Sequence, residues 1–364
     1  MTLVPASFVR KHNRFVGTVL LDGKETTVLI PNTGRLAELL LPGRQVLLAP
    51  YQGKHPYKLL YVIYRGNPVF IDSVGSNAVF GRLLAEKKVP GLEEYRLLRR
   101  EVPFGRHRFD FLLESPRGKE IFCELKSCTL AWNGVAAFPD APTERGRDHI
   151  LTLRKSGRGM VVFFILHRDV TIFVPDYHTH YEFYETVKEC AGDVEMRACA
   201  AIYNENHDIT GLSPVRMLLP EVPPTGSYLL VYHNPGAFCA AVGALGQREF
   251  PPGYYVYAGS GMANLYARIG HHRKKGGKKH WHIDYVKGPM RLVSDLPMAG
   301  IGNRECELAE DLAALGGKAV PGFGSSDCRC GSHFYFFQHD PRKRESFWDM
   351  VLERRFGGIG RTNG

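Results

Sequence analysis

Three charged residues in two short strand-like segments have the types and spacing of a metal-dependent hydrolytic site. Asp110 lies in the segment RFDFLLE, and Glu124 and Lys126 lie in the later segment FCELKS. Because SPRG makes a turn between them, two antiparallel strands would bring Asp110 beside Glu124, and alternation would place Glu124 and Lys126 on one face. Paired carboxylates bind Mg²⁺ or Mn²⁺, which polarises a phosphodiester and lowers the pKa of a bound water. We therefore predict Asp110 and Glu124 as metal ligands and Lys126 as the group that orients this water.

A simpler interpretation is that Glu124 and Lys126 form an ion pair at the solvated edge of a strand. The segment IFC before Glu124 and the residue Leu125 after it are apolar. Charged side chains within so apolar a segment are rare unless they are paired or bind a ligand. The sequence therefore favours the metal site over the surface pair.

Two groups of residues in the first half are typical of phosphate contacts. Arg14 and Arg35 lie among aromatic residues in the first 76 positions, as in barrels that stack single-stranded bases. Those aromatic residues fit a buried strand core equally well. Thr143 and Arg145 lie at the start of a predicted helix, where a hydroxyl, a guanidinium and backbone N–H groups can bind phosphate. An ordinary N-cap explains Thr143 equally well.

A basic loop in the second half has the sequence HHRKKGGKKHWH, from His271 to His282. Such a loop binds nucleic-acid phosphates without sequence preference, although a charged segment of this kind can also be merely solvated. The expected phosphate contacts are Lys274, Lys275, Lys278 and Lys279.

Three candidate zinc ligands lie close together near the C-terminus. Cys328, Cys330 and His333 form the pattern C-x-C-x-x-H. A structural zinc site ordinarily has four protein ligands, and only Cys306 or a further histidine is a candidate for the fourth. We therefore favour cysteines without a metal over a structural Zn²⁺ site here.

The composition is that of a basic globular protein. The chain has 364 residues, of which 44% are apolar and 23% charged, with a net charge of +10. This length allows two or three domains, and the charge suits a nucleic-acid partner. The longest apolar stretch, Met160–Leu166, is far shorter than the roughly 20 residues of a membrane helix, and Met1–Arg10 lacks a signal-peptide core. With eight scattered cysteines, we expect a cytoplasmic protein without disulfides or a membrane partner.

The sequence also indicates the strands and helices that must position these residues. Short strands around an Asp22–Gly23 turn predict a small barrel. From Asn77 onward helices alternate with strands, and the very apolar strand Met160–Leu166 is typical of the centre of an α/β sheet. We expect the last strand of this layer at Val194–Ile202, then a boundary at the proline-rich segment that follows Leu212. Beyond it, strands and helices form a smaller unit, followed by a charged, peripheral tail from Asp340 onward with a terminal helix expected at Arg344–Arg355.

The first 210 residues resemble the sugar fermentation stimulation protein (SfsA) family. The resemblance rests on RFVGTVLLDGKETTVLIPNTGRLAELLLPG, YRLLRREVPFGRHRFDFLLE, CELKS and FPDAPTERGRDH. It implies an OB-like β-barrel followed by a nuclease-like domain of the restriction-endonuclease superfamily, whose PD-(D/E)xK pattern falls on Asp110, Glu124 and Lys126. It also implies DNA binding and a role in regulating sugar metabolism.

The segment from Gly226 to Phe337 resembles a GIY-YIG-like family, through YAGSG, HWHIDY and GFGSSDCRC. The resemblance implies that Tyr228 or Tyr257 helps to activate water, that Arg268 stabilises the phosphate and that a glutamate binds the metal. Glu305 fits the family's Glu-x-x-Leu spacing, and Glu307 is the second choice. His282 and Asp284, two residues apart, are expected to share a strand face and to assist proton transfer.

These observations predict an α/β multi-domain protein that binds nucleic acid, most simply DNA. We expect Mg²⁺- or Mn²⁺-dependent endonuclease activity in one or both nuclease-like domains. The alternative is a non-catalytic, sequence-nonspecific DNA-binding regulator of sugar metabolism. The predicted parts are an OB-like barrel (1–76), a restriction-endonuclease-like domain (77–212), a proline-rich linker (213–225), a GIY-YIG-like domain (226–340) and a charged tail (341–364).

Overall fold

The computed structural model describes residues 3–274, 276 and 279–359. The chain divides into two compact units, the first of which ends at Leu219 while the second runs from Pro220 to Gly358. This division lies within the segment 213–225, where the prolines indicate a linker. In the described part of the chain, no helix combines the length and the hydropathy that a membrane crossing requires.

The N-terminal segment folds into a small β-barrel. Its strands are β1 (Val4–Lys11), β2 (Val16–Leu21), β3 (Lys24–Leu29), β4 (Gln45–Pro50), β5 (Tyr57–Tyr64) and β6 (Asn67–Phe70). The order β3-β2-β1-β4-β5 closes through a parallel pairing of β3 with β5, which makes a five-stranded barrel extended by β6. Asp22 and Gly23 both have positive φ, 48° and 76°, as a two-residue hairpin turn requires. The barrel and its first hairpin are therefore as predicted.

The rest of the first unit is a nine-stranded sheet with helices on its faces. Its elements are α1 (Ser73–Ala85), β7 (Arg96–Phe104), β8 (His107–Glu114), β9 (Glu120–Cys128), β10 (Leu130–Trp132), β11 (Val135–Phe138), α2 (Glu144–Ser156), β12 (Gly159–Ile165), β13 (Ile172–Pro175), α3 (Tyr181–Cys190), β14 (Val194–Tyr203) and β15 (Ile209–Met217). The strand order is β10-β11-β13-β15-β14-β12-β9-β8-β7.

The strand β12 lies inside this sheet, parallel to β9 on one side and to β14 on the other. All its residues are buried. Val162 and Phe164 join the core shared with α1 and the barrel, whereas Val161 and Phe163 join the core beneath α2 and α3. Because both faces are covered, the strand is apolar throughout rather than alternating, which confirms the predicted central position.

The expectation that Val194–Ile202 is the last strand of this layer is wrong. The strand β15 follows it, pairs antiparallel with β14 and continues parallel to β13. Its Pro214 lies opposite Cys199. A proline removes only its own donor from the ladder, and the other residues of β15 still pair. The segment predicted as a linker therefore begins inside β15, and its later part contains the division between the two units.

The second unit is built on a five-stranded sheet with the order β20-β16-β19-β22-β21. Its elements are β16 (Gly226–Asn234), β17 (Phe238–Ala241), β18 (Gln247–Phe250), β19 (Gly253–Ser260), α4 (Leu265–Arg273), α5 (His282–Val286), β20 (Arg291–Ala299), α6 (Glu305–Ala314), β21 (Lys318–Ala319), β22 (Phe334–Phe337) and α7 (Glu345–Phe356). The strands β17 and β18 form a separate hairpin.

The expected peripheral tail is also wrong, because α7 packs into the second unit. Phe347 and Val351, one helical turn apart, are fully buried, and Phe356 is nearly so. Arg355 Nε donates to the carbonyl of Pro297 on β20 at 3.0 Å. The expected terminal helix is therefore present as α7, but one of its faces is packed rather than solvated.

Candidate active site

Asp110 lies where the strands β8 and β9 separate. The last pair of their ladder is Phe111 and Cys123. Asp110 and Glu124 are the sequence neighbours of this pair on the side where the ladder ends. Beyond that pair, the backbone N–H of Leu125 donates to Asp110 Oδ2 at 2.8 Å. Asn77 Nδ2 of α1 donates to Asp110 Oδ1 at 2.6 Å. The Asp110 carboxylate thus takes the place of a backbone carbonyl as the acceptor for the Leu125 N–H. It is fixed beside Glu124, as the sequence predicts.

Glu124 and Lys126 project from β9 toward α2. They are 5% and 9% exposed, and Lys126 Nζ donates to Glu124 Oε1 at 2.8 Å. Cys123 and Leu125 point into the opposite core, as strand alternation predicts. This geometry excludes the simple surface ion pair, because neither side chain lies at a solvated edge.

His149 of α2 completes the buried group. Arg145 Nε donates to His149 Nε2 at 3.3 Å, so the ring proton lies on Nδ1, which donates to Glu124 Oε1. This histidine is 3% exposed. The chain Arg145–His149–Glu124–Lys126 therefore holds the Glu124 carboxylate in one orientation.

The two carboxylates have opposite electrostatic environments. Burial and, to a smaller extent, the neighbouring Glu124 carboxylate together raise the pKa of Asp110 to about 7. Burial also acts to raise the pKa of Glu124, but Lys126 and His149 together outweigh it and lower that pKa to about 2. At neutral pH Glu124 is ionised and Asp110 is near half protonation.

One acceptor in this group has no hydrogen-bond partner among the described residues. Glu124 Oε2 is buried and accepts no hydrogen bond from the part of the chain that the structure describes, while Oε1 accepts from both Lys126 and His149. A buried carboxylate oxygen without a donor is costly unless a cation or another donor binds it. Together with the adjacent Asp110 carboxylate, it forms an oxygen donor set that fits a hard divalent cation such as Mg²⁺ or Mn²⁺.

Two residues of this group, Asn77 and His149, were not predicted as site residues. Asn77 lies on α1, far from the other members in sequence, and no local pattern indicates its contact with Asp110. His149 follows Arg145 by four residues and so shares its helix face, a spacing that marks it as a possible partner.

Thr143 is the N-cap of α2, and its side chain accepts from the N–H of Gly146 at 3.0 Å. This is the N-cap arrangement left open by the sequence. Arg145 is exposed in the first turn of α2 and at the same time contacts His149. It therefore links the outer surface of α2 to the buried carboxylates.

The barrel has both buried and exposed aromatic residues. Tyr61 and Tyr64 are buried in its core, whereas Phe15 is 47% exposed and Tyr51 is 41% exposed. Arg14, next to Phe15 in the loop between β1 and β2, is exposed, and so is Arg35. Exposed rings and guanidinium groups of this kind can stack on bases and bind phosphates.

The second predicted site lies in the other unit, where Tyr228 and Tyr257 face one neighbourhood from β16 and β19. Their ring centroids are 6.4 Å apart. Tyr228 Oη and His272 Nε2 of α4 lie within hydrogen-bond distance, at 2.9 Å. Burial lowers the pKa of His272 to about 3, so this ring is neutral near pH 7 and can accept the phenol proton in a hydrogen bond. His272 was not predicted, although it lies one turn after Arg268 on α4.

The other two predicted residues act electrostatically on these phenols. Burial raises the pKa of Tyr228 and Tyr257, the Glu305 carboxylate raises both further, and the Arg268 guanidinium opposes this. Arg268 also lies over the Trp281 ring, 4.0 Å from its centroid. Glu305 is only half-buried and so is accessible to a ligand.

The second-choice glutamate, Glu307, is engaged elsewhere. Its carboxylate pairs with Arg354 of α7 on the exposed side of α6. Because two residues on a helix point in different directions, only one of Glu305 and Glu307 can face the tyrosines. The structure therefore favours Glu305.

The prediction that His282 and Asp284 share a strand face is wrong. Both lie on the short helix α5, where residues two apart point to different sides. Asp284 accepts from the N–H groups of His280 and Trp281 and caps this helix, while His282 Nδ1 accepts from Gly324 N–H at 3.0 Å. The segment HWHIDY alternates as a strand does, which led to the strand prediction. Asp284 is instead the third residue of a helix, and its carboxylate caps the start of that helix.

The basic loop is described only in part. Lys274 and Lys279 are exposed, and Lys279 Nζ lies 4.6 Å from the centroid of the Tyr285 ring. Lys275 and Lys278 lie outside the described residues.

Three domain families match the chain. They are the SfsA N-terminal OB domain over residues 9–71, the sugar fermentation stimulation protein RE domain over residues 75–207, and the domain of unknown function DUF123 over residues 227–355. These matches confirm the predicted family resemblance and the OB-like barrel of the first unit. In the second unit they identify DUF123, and they do not show a GIY-YIG nuclease.

Several known proteins are similar to the first unit. A sugar fermentation stimulation protein homolog of Clostridium botulinum is 40% identical over 211 residues, which cover 55% of this chain and 90% of that protein. A Clostridium perfringens homolog is 38% identical over 225 residues, covering 59% and 96%. The structure of Pyrococcus furiosus SfsA in complex with Ca²⁺ is 34% identical with a TM-score of 0.55, covering 59% of this chain and 96% of that chain.

Proposed function

The chain belongs to the sugar fermentation stimulation protein family, and from that premise we propose that it binds DNA and hydrolyses its phosphodiester bonds with the help of a divalent cation. The proposed ligands are Asp110 and Glu124, and Lys126 is the accompanying cationic side chain. One observation carries the proposal: two carboxylates are buried side by side, and Glu124 Oε2 has no hydrogen-bond donor among the described residues. Two neighbouring carboxylates destabilise each other when both are ionised, and a bound cation would offset this repulsion.

The similar Pyrococcus furiosus protein supports a cation of this class, because it was determined in complex with Ca²⁺. Ca²⁺, Mg²⁺ and Mn²⁺ all bind carboxylate oxygens. When bound, such a cation supplies Lewis acidity and lowers the pKa of a coordinated water. The protein's own groups then fix the geometry.

Each of those groups has a defined task in this proposal. Asn77 and the Leu125 N–H hold the Asp110 carboxylate, and His149 holds the Glu124 carboxylate. Lys126 Nζ is buried next to Glu124 and can donate to the attacking water or to a phosphate oxygen. Arg145, exposed on α2, is positioned to bind a flanking phosphate.

The sheet supports a restriction-endonuclease-like arrangement for this unit. An antiparallel pair, β8 and β9, carries the acidic residues, and β12 and β14 continue the sheet in parallel from β9. A helix covers each face. In this arrangement Asp110 and Glu124 lie on neighbouring strands that α2 covers, which supports the proposal.

The second unit has a separate candidate activity, a GIY-YIG-like phosphodiester hydrolysis. The observation that favours it is the contact between Tyr228 Oη and His272 Nε2, with Arg268 and Glu305 acting on the same phenol. In this proposal the Tyr228–His272 pair orients water, Arg268 binds the phosphate and Glu305 holds the cation.

Replacing Arg268 by alanine tests the second activity. In a chain that also carries Asp110→Asn, we expect the residual cleavage rate to fall about 100-fold, because a cation opposite the phosphate is lost. Arg291→Ala is the control, since Arg291 is an exposed arginine of the same unit that lies on β20, outside the basic loop and the predicted site. Equal rates for the two variants would contradict a role for Arg268.

Binding is expected to depend steeply on salt. If about four phosphates are neutralised, the Kd for single-stranded DNA rises about 50-fold between 50 and 200 mM NaCl. The measurement is a fluorescence-anisotropy titration at several salt concentrations, with EDTA present so that no strand is cut. A rise of less than about threefold would contradict backbone binding by the basic residues.

Cleavage itself separates the proposal from a non-catalytic DNA-binding regulator. Labelled single-stranded, duplex and branched DNA are incubated with the full chain in Mg²⁺, in Mn²⁺ and in EDTA. The proposal expects cation-dependent products from at least one substrate. If every substrate is bound but none is cut above the EDTA background, the chain is a regulator rather than a nuclease.

A further inference from the structure

Three cysteines and one histidine of the second unit meet at one point. Cys306 lies in the first turn of α6, Cys328 and Cys330 lie in the loop between β21 and β22, and His333 immediately precedes β22. The ligand atoms of all four lie within 4.8 Å of one another. The sequence pattern lacked a clear fourth ligand, and the fold supplies Cys306 in that position.

The distances within this cluster match the edges of a small tetrahedron. Cys328 Sγ is 3.4 Å from His333 Nε2, and Cys306 Sγ is 3.8 Å from the same atom. With Zn–S near 2.3 Å and Zn–N near 2.0 Å, a tetrahedral site has sulfur–nitrogen edges of about 3.5 Å. The observed spacings agree with that value to within a few tenths of an ångström.

The surrounding loop has little regular structure of its own. It is tied across its base by Gly322 N–H to the Gly331 carbonyl at 2.8 Å and by His333 N–H to the Phe323 carbonyl at 2.7 Å. His333 is 1% exposed, whereas the three cysteines are only partly buried. The nitrogen ligand is thus rigidly placed and the sulfur ligands can be reached from solvent, which provides an entry path for an ion.

We propose that Cys306, Cys328, Cys330 and His333 bind one structural Zn²⁺ ion. Three thiolates and an imidazole nitrogen make a Cys₃His set, which is a common closed zinc site with no open position for a substrate. On binding, the three thiols release their protons to the solvent. The ion joins the loop before β22 to the first turn of α6, where Glu305 lies, and this role holds whether or not the protein cleaves DNA.

The test is metal analysis of the full chain purified without added zinc and without chelators. We expect about one zinc per chain by inductively coupled plasma mass spectrometry. The double variant Cys328→Ser, Cys330→Ser is expected to lose it. Cys239→Ser is the matched control, because Cys239 is an exposed free cysteine of the same unit that lies outside the cluster. It should retain a full equivalent of zinc.

A second measurement does not depend on whether the variant folds. Wild-type protein is stripped of metal and titrated with Co²⁺, whose absorption reports tetrahedral thiolate coordination. We expect intense visible and thiolate charge-transfer bands that saturate at one Co²⁺ and disappear on adding Zn²⁺. The proposal is overturned if the purified chain carries no zinc and binds Co²⁺ without these bands, if it carries iron instead, or if the double variant keeps its zinc.

Discussion

Asp110→Asn is expected to lower the cation-dependent cleavage rate at least about 1000-fold, while affinity for DNA stays the same or increases slightly. The substitution removes one of two proposed ligand carboxylates, and a loss of about 4 kcal/mol of transition-state stabilisation corresponds to this factor. The shape is preserved, because the amide oxygen can still accept from the Leu125 N–H and Asn77 can turn its amide. The substitution removes no basic side chain that binds DNA, so the change acts on the chemical step.

The experiment uses chains that also carry Arg268→Ala, so that the second unit contributes as little as possible. Single-turnover rates are compared for the chain that retains Asp110, for the Asp110→Asn chain and for the matched control Asp193→Asn. Asp193 is a surface carboxylate paired with Arg154 and lies outside the site. If Asp110→Asn cleaves within about threefold of the control, Asp110 is not a ligand of the catalytic cation.

The second large effect is on stability, and its sign follows from the raised pKa of Asp110. Burial raises that pKa from its usual 3.8 to about 7, so the folded state binds this proton more tightly than the unfolded state. The resulting stabilisation is fully present below about pH 4 and is lost as the pH rises through about 7. At pH 8 without a divalent cation, the ionised Asp110 lowers the free energy of unfolding by up to about 4 kcal/mol relative to low pH.

Asp110→Asn removes the charge and with it this loss of stability at high pH. We expect this variant to be more stable than wild type by a few kcal/mol at pH 8 in EDTA, and similar to wild type at pH 4. Mg²⁺ should stabilise the wild type by about 3 kcal/mol at 100 times its Kd and leave the variant unchanged. Urea unfolding followed by hydrogen exchange in β9 (Glu120–Cys128) reports on this unit alone.

Two outcomes would contradict this account of Asp110. One is a wild type whose first unit is no less stable at pH 8 than at pH 5 in EDTA. The other is an equal Mg²⁺ effect on wild type and variant. The pKa of Glu124, lowered to about 2, gives the opposite dependence, because its stabilisation is lost only as the pH falls below about 4.5.

The acidic pair was predictable because it depends on local periodicity. Strand alternation and a short turn are enough to place Asp110, Glu124 and Lys126 together, and apolar neighbours indicate burial. The Asp22–Gly23 hairpin and the central strand β12 were predictable for the same reason, since both signals lie within a few residues.

The contacts that were missed or left open join distant segments. Asn77 reaches Asp110 from another helix, and Cys306 reaches Cys328 only because α6 packs beside the loop before β22. No spacing rule relates such pairs. The strand β15 and the packing of α7 were missed because prolines and surface charges are local signals. The pairing of β15 and the burial of α7 depend on segments distant in sequence.

The most direct test of the central claim, that Asp110 and Glu124 together hold a divalent cation, is the number of bound Mn²⁺ ions. Electron paramagnetic resonance of free Mn²⁺ gives this number for the wild type, Asp110→Asn, Glu124→Gln and Asp193→Asn. We expect each of the first two variants to bind one Mn²⁺ fewer than the wild type and the Asp193 control to bind the same number. Equal Mn²⁺ stoichiometry and affinity in all four proteins would contradict the claim.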